Sequence, residues 1–288
     1  MKVATFDRLI KLKSTLFVLP LTLAGALLPF AITTPTWDLW RWIAIIVGFT
    51  AARTAGMAFN EWIDKEIDAK NARTLARVLP RGEMAIWQVA LIAWGGIALF
   101  LLIAASFGKA LFIGALVLST LIALYSYTKR FTSLCHFLLG AILGAGPVMA
   151  FLAMTGTFSP LALLLGGATF CSLSASDIIY AIQDTQFDRI EGLHSIPALL
   201  GDSQAKRLSR LLHLLSIALL LFLGYQAHLG PLYYLGLALL TTLLFRFHLL
   251  VMREDHSRYT RLFFRCNVAF SNLVFLSILG GLLWPISF

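Results

Sequence analysis

The sequence predicts an all-α, polytopic membrane protein of nine transmembrane helices. Its 288 residues are 59% hydrophobic and 13% charged, where soluble domains run at about 45–50% apolar and about 25% charged. The apolar residues fall in runs of roughly 20, the length at which a helix spans a bilayer. Between the runs, Lys and Arg gather in alternate segments, as they do in cytoplasmic loops.

Taken in order, the first run, 14–32, follows Lys2, Arg8, Lys11 and Lys13. Ala24-Gly25-Ala26 looks like a signal cleavage site, but the apolar stretch continues past it, so the run reads as an uncleaved helix. The second, 39–59, carries a lone cation, Arg53, and leads into an acidic segment. Runs 85–105 and 110–127 are joined by a short link around Lys109. The fifth, 134–155, holds the close-packing pattern Gly140-Ala-Ile-Leu-Gly144. It also holds Gly146-Pro147, which predicts a kink or break because proline lacks the backbone donor. The sixth, 161–180, leads into a second acidic segment, and 208–227, 231–250 and 262–285 complete the set.

With the amino terminus inside and the carboxyl terminus outside, 20 of the 23 basic residues face the cytoplasm. Arg41 and Lys109 fall on the other side and Arg53 within a span, which places the chain in the cytoplasmic membrane. The net charge of +9 is then topological bias plus attraction to the anionic bilayer surface. No basic stripe interleaved with aromatics points to nucleic acid. No linker rich in Pro, Ser or Gly divides the chain, so 1–288 reads as one transmembrane domain. Cys135, Cys171 and Cys266 lack metal or disulfide spacing. The six histidines form no H-E-x-x-H and read as structural.

Against this apolar background stand two carboxylate ladders. One is Asn60-x-x-x-Asp64-x-x-x-Asp68; the other is Asp177-x-x-Tyr180-x-x-x-Asp184-x-x-x-Asp188. Residues four apart share a helix face, offset by about 40° and rising about 6 Å. Each ladder therefore predicts one acidic stripe. Mg²⁺ takes oxygen ligands, commonly one or two carboxylates with waters and substrate phosphates. Two stripes facing one another suit metal ions around a diphosphate. Solvated loop charges would account for one acidic run, but poorly for two matched ones. Asp64 and Asp184 are 120 residues apart, as are Asp68 and Asp188, a faint repeat that puts both ladders at one membrane face.

Arg53 lies seven residues before Asn60, on roughly the same face and in an apolar span, where an unpaired cation costs several kcal/mol. It calls for a carboxylate partner from the protein or from a substrate. Asn60 can bridge a metal and a phosphate oxygen. Lys70, Arg73 and Arg77 follow the first ladder, each better read as a solvated charge than as a ligand. Tyr125-Ser126-Tyr127-Thr128-Lys129-Arg130 brings hydroxyls and two cations to the same face. Such groups stabilise a departing diphosphate; an interfacial Tyr anchor with positive-inside charges fits equally well.

The two ladders together resemble the UbiA superfamily of intramembrane prenyltransferases. Arg53-Thr-Ala-Gly-Met-Ala-Phe-Asn60 and Glu191-Gly-Leu-His-Ser-Ile-Pro197 are similar to its 4-hydroxybenzoate polyprenyltransferase branch, especially the subgroup tied to menaquinone made through futalosine. The resemblance implies nine helices around a central cavity, capped by cytoplasmic loops. It implies one Mg²⁺ on Asn60, Asp64 and Asp68 and a second on Asp184 and Asp188, with Asp64, Asp68, Asp184 and Asp188 catalytic. Arg53, Asn60, Tyr127, Lys129, Arg130, Asp177 and Tyr180 then bind substrate, Asp177 and Tyr180 from deeper in the cavity. The chain departs from the family at Gln183 and Thr185–Phe187, where a denser acidic run is common. The expected activity is transfer of a polyprenyl group from an isoprenoid diphosphate to the ring of a hydroxyaryl carboxylate. Rivals are prenylation of a dihydroxynaphthoate, a haem-farnesylating relative and, from another class, a cation-coupled transporter. Transporter sites favour the membrane midplane, whereas these ladders sit at one face. The signature of a CDP-alcohol phosphotransferase is absent.

Overall fold

Among the residues described by the computed structural model, 3–33, 37–253 and 258–285, eight helices are long and apolar enough to cross a bilayer. Lys2, counted above, lies outside them. The chain begins with a short amphipathic helix, α1 (Val3–Ile10), whose Leu9 and Ile10 are buried. Lys11, in the left-handed region at φ 48°, turns the chain into α2 (Leu12–Leu27). A 3₁₀ segment, Leu28–Ala31, continues α2, and together they fill the first predicted run as a ninth, shorter apolar helix.

The long helices then follow the predicted order. α3 is Leu39–Ile63, capped by Asp38 through a 3.0 Å bond from the Trp40 amide. After the short α4 (Lys65–Lys70) come α5 (Ile86–Ser106), α6 (Lys109–Thr128) and α7 (Cys135–Thr155). α7 runs without interruption through Pro147, contrary to the predicted break. The Pro147 backbone instead presses on Gly25 of α2, where any Cβ would collide with the Pro147 carbonyl. Gly156, at φ 75°, ends α7 in the left-handed conformation that glycine adopts at least cost.

α8 (Pro160–Ala181) starts with Ser159 as cap and Pro at its first position, a favoured helix opening. A 3₁₀ turn, Ile182–Asp184, leads to the short α9 (Thr185–Ile190) and α10 (Ile196–Leu200). α11 (Asp202–Gln226), α12 (Pro231–Arg253) and α13 (Tyr259–Leu283) complete the bundle. Apolar side chains over much of the outer surface, such as Leu102, Leu214 and Leu235, are exposed, as lipid-facing positions require.

Two separate buried cores form. One joins α3, α5, α6 and the far end of α7; the other joins α2, α8, α11, α12 and α13. Between them runs a cavity of about 250 Å³, with walls from α2, α3, α5, α6, α7, α8 and α13. Each core contributes one ladder-bearing helix, α3 or α8. The ladders therefore meet at the seam between the two halves.

Candidate active site

Neither ladder is one continuous helix. Asp64 ends α3 with φ −91° and ψ 4°, and α4 restarts one residue later. Asp184 sits at the same kind of joint, φ −100° and ψ 2°, between the 3₁₀ turn and α9. Both bends fall in the sparsely allowed bridge region, where many active-site residues lie. They set each short helix, α4 and α9, off from the long helix before it, so the lower rungs leave the line of α3 and α8.

Sequence spacing still brings Asn60 and Asp64 together: the Asn60 amide donates to Asp64 Oδ2 at 2.9 Å and to Ser126 Oγ at 3.2 Å. Asp64 and Asp68 are almost fully buried. Burial pushes the Asp64 carboxyl above the usual carboxylate range, and Lys129, with Nζ 2.9 Å from Oδ2, opposes that shift. Arg130 donates to the Ile63 carbonyl at 2.6 Å, beside Asp64. Asp64 Oδ1 is buried with no hydrogen-bond partner.

Two arginines read from sequence as solvated charges prove to be integral to this end of the molecule. Arg77 Nη1 donates to Asn60 Oδ1 at 3.0 Å and to Asp68 Oδ2 at 2.5 Å. Arg73 grips Asp184 with two parallel bonds of 3.0 and 2.5 Å and reaches Tyr180 Oη at 2.6 Å. Asn71 adds a 3.0 Å bond to Asp184, and Lys70 pairs with Glu191 at 2.6 Å. The segment after the first ladder thus crosses the seam and clamps the second. Arg73 and Arg77 stand four apart but out of the ladder's register, whose spacing of four from Asp68 falls on Ala72 and Ala76.

Glu61, buried near the end of α3, accepts the Leu79 amide at 2.9 Å and anchors the returning loop. Asp188 is buried beside Ser195. Asp177 and Tyr180 line the cavity, as do Arg53, Asn60, Arg77 and Lys11. Asp177 is not the partner of Arg53. It bonds His136 Nδ1 at 2.7 Å, and no sequence motif had distinguished His136 from the other histidines. Arg53 Nε is buried without a hydrogen-bond partner, and no carboxylate of the described residues lies within ion-pair distance of its guanidinium.

Tyr127 stands away from the cavity. It is 43% exposed, packs its ring under Arg130 at 5.2 Å and is absent from the cavity wall. Tyr125 lines the cavity instead, because residues two apart on a helix face away from each other. Among the described residues, no three His, Cys, Asp or Glu side chains converge on one metal position. The ladder carboxylates turn to Lys129, Arg77 and Arg73.

With this geometry established, similarity to known proteins becomes informative. The profile of the UbiA prenyltransferase family matches residues 18–274. A 4-hydroxybenzoate octaprenyltransferase from Nitrosococcus oceani is 31% identical over 239 residues, covering 81% of each chain. One from Marinobacter nauticus is 32% identical over 222 residues, covering 74% of this chain and 72% of its own. Among solved structures, a UbiA homologue from Aeropyrum pernix K1 superposes with a TM-score of 0.83 at 28% identity, covering 92% of this chain and 97% of that one. A homologue from Archaeoglobus fulgidus, solved with DMAPP and Mg²⁺, shares the fold at a TM-score of 0.67 and 19% identity, covering 94% and 99%.

Proposed function

The chain belongs to the UbiA prenyltransferase family, and from that premise we propose that it transfers a polyprenyl group from an isoprenoid diphosphate to the ring of 4-hydroxybenzoate or a close hydroxyaryl acid. It is an integral membrane prenyltransferase. That acceptor is supported by the 4-hydroxybenzoate octaprenyltransferases at about 30% identity over four-fifths of the chain. The observation that carries the reading is Arg53, a cation on the cavity wall whose Nε is buried without a hydrogen-bond partner and which pairs with no carboxylate among the described residues. An aromatic carboxylate is the natural counter-ion for a guanidinium held in that way.

Mg²⁺ fits the ladders. Asp64 Oδ1, buried without a hydrogen-bond partner and 3.9 Å from Arg130 Nη2, offers a hard donor together with the oxygens of Asn60 and Asp68, with Asp184 and Asp188 across the seam. Two carboxylates per ion suffice when substrate phosphates and waters supply the rest. The diphosphate and Mg²⁺ seen with the Archaeoglobus fulgidus homologue support the assignment. When bound there, the metal neutralises charge on the diphosphate.

This chain's own residues do the remaining work. Lys129, Arg130, Arg73 and Arg77 surround the ladder tips, where charge collects on the leaving diphosphate. The bond from the allylic carbon to the diphosphate oxygen breaks, its electron pair leaving with the oxygen. Apolar walls from Ala44, Gly48, Phe100 and Leu118 exclude water from the allylic cation. The acceptor ring, held by Arg53, supplies the electron pair for the new carbon–carbon bond and then loses its ring proton.

Purified protein given labelled polyprenyl diphosphate, Mg²⁺ and a panel of hydroxyaryl acids should form a C-prenylated 4-hydroxybenzoate-type product. Exclusive prenylation of a dihydroxynaphthoate would move the acceptor to the menaquinone route, and no prenylated aryl acid at all would overturn the reading.

A further inference from the structure

Asp177 is the one carboxylate among the described residues on the cavity wall; Asp64, Asp68, Asp184 and Asp188 are not part of it. Its Oδ2 is held by His136 Nδ1 at 2.7 Å, leaving Oδ1 free to meet a substrate. The pair is asymmetric. Asp177 faces the cavity with 15% of its side chain exposed, whereas His136 stands behind it at 5%. An ionised carboxylate only accepts hydrogen bonds, so Nδ1 carries the hydrogen. His136 Nε2 is buried with no hydrogen-bond partner, so no second bond at that nitrogen turns the ring away from Asp177.

The contact is set by the backbone as well as by the side chains. His136 opens α7 and Asp177 lies near the end of the antiparallel α8. One turn after His136, Gly140 brings the two helices so close that any Cβ there would collide with Ser174 Oγ and sit 2.8 Å from the Phe170 carbonyl. A second-row histidine can reach a wall carboxylate only at such a separation.

We propose that His136 is a positioning residue that holds Asp177 as the proton acceptor for the substrate ring, an inference resting on the aryl acceptor proposed above. After the ring carbon bonds to the allylic carbon, that ring carbon still carries its hydrogen. Asp177 Oδ1 takes the proton, and the C–H electron pair returns to the ring and restores aromaticity. Diphosphate leaves with the electrons of the broken C–O bond, so charge balances. His136 keeps Oδ2 occupied and Oδ1 aimed inward.

The test is steady-state kinetics of His136→Leu, His136→Asn and Asp177→Asn, using protonated and ring-deuterated acceptor. Asn keeps a donor near the Nδ1 position, so it should recover most of the rate. His136→Leu should lower kcat about tenfold or more, leave the KM for isoprenoid diphosphate unchanged and raise the isotope effect on the ring C–D bond. His136→Leu combined with Asp177→Asn should be no slower than Asp177→Asn alone, since groups acting as a unit are not additive. An unchanged isotope effect, equal loss in the Leu and Asn variants, or losses that multiply would each overturn the proposal. Thermal melting and isoprenoid diphosphate binding check that the variants fold. A wild-type protein that binds isoprenoid diphosphate yet prenylates no hydroxyaryl acid would instead overturn the acceptor reading itself.

Discussion

Lys11 sits where the chain turns from α1 into α2, with its ammonium directed into the head of the cavity. Burial, and next the like charge of Arg77, pulls its pKa down to about 7, against the attraction of Glu61. A diphosphate bound nearby raises that pKa again. Between the two values the complex holds one more proton than the free protein, so binding weakens as pH rises through the window. The KM for isoprenoid diphosphate should therefore climb between about pH 7 and 9. Lys11→Met should flatten the profile at high KM, and Lys11→Arg, which stays charged, should flatten it at low KM. A profile the same in all three proteins would remove Lys11 from the site. Arg53 makes the complementary prediction for the acceptor. Arg53→Ala strands a buried carboxylate, a loss of about 3–5 kcal/mol, so kcat/KM for the acceptor should fall while isoprenoid diphosphate affinity holds. A neutral analogue without the carboxylate should be almost indifferent to the change. Equal loss for both substrates would make Arg53 a structural residue.

At the scale of elements, the two ladders are separate devices joined by a loop. Asp64 is served by Lys129, and Asp184 by Arg73 and Asn71. Each carboxylate is held by its own partners, so Asp64→Ala and Asp184→Ala should each abolish turnover in folded, membrane-inserted protein. EDTA should do the same reversibly, with Mg²⁺ restoring the rate; full activity without metal would remove the ion from the scheme. The joining loop hangs on Glu61, which accepts the buried Leu79 amide. Glu61→Ala leaves that amide unsatisfied at about 1–3 kcal/mol and should lower Tm and raise the KM for isoprenoid diphosphate, whereas Glu61→Gln, still an acceptor, should do neither. The sequence revealed the rungs of each ladder because a spacing of four is a helical regularity. It hid Arg73, whose contact with Asp184 crosses the seam, and Arg77, which folds back on Asn60 and Asp68, because both depend on where α4 turns after Asp64, and that bend has no residue signature. That Tyr125 and not Tyr127 lines the cavity was not legible, because which face of α6 meets the cavity is decided by packing. His136 was hidden for the same reason: its partner lies 41 residues away on another helix.

Across the whole molecule, the nine apolar runs were legible because a bilayer imposes length and polarity on every span. The division into two cores was not, since lipid-facing and core-facing leucines have the same side chain. Positive-inside counting makes one further claim, that both ladder loops lie on the cytoplasmic side. The fold puts them at one end of the bundle, with Arg73 of the first loop bonded to Asp184 of the second. A topology that separated them would break that bond. Because Cys135, Cys171 and Cys266 are all buried, a membrane-impermeant maleimide should report introduced cysteines with little background. Ala69→Cys and Ile190→Cys, exposed beside the two ladders, should label only in inverted vesicles; Ser106→Cys and Thr157→Cys, exposed at the opposite end, should label only in intact cells. If the two ladder positions labelled from different sides, the shared site would be untenable. If both labelled from outside, the site would stand and the orientation alone would be reversed.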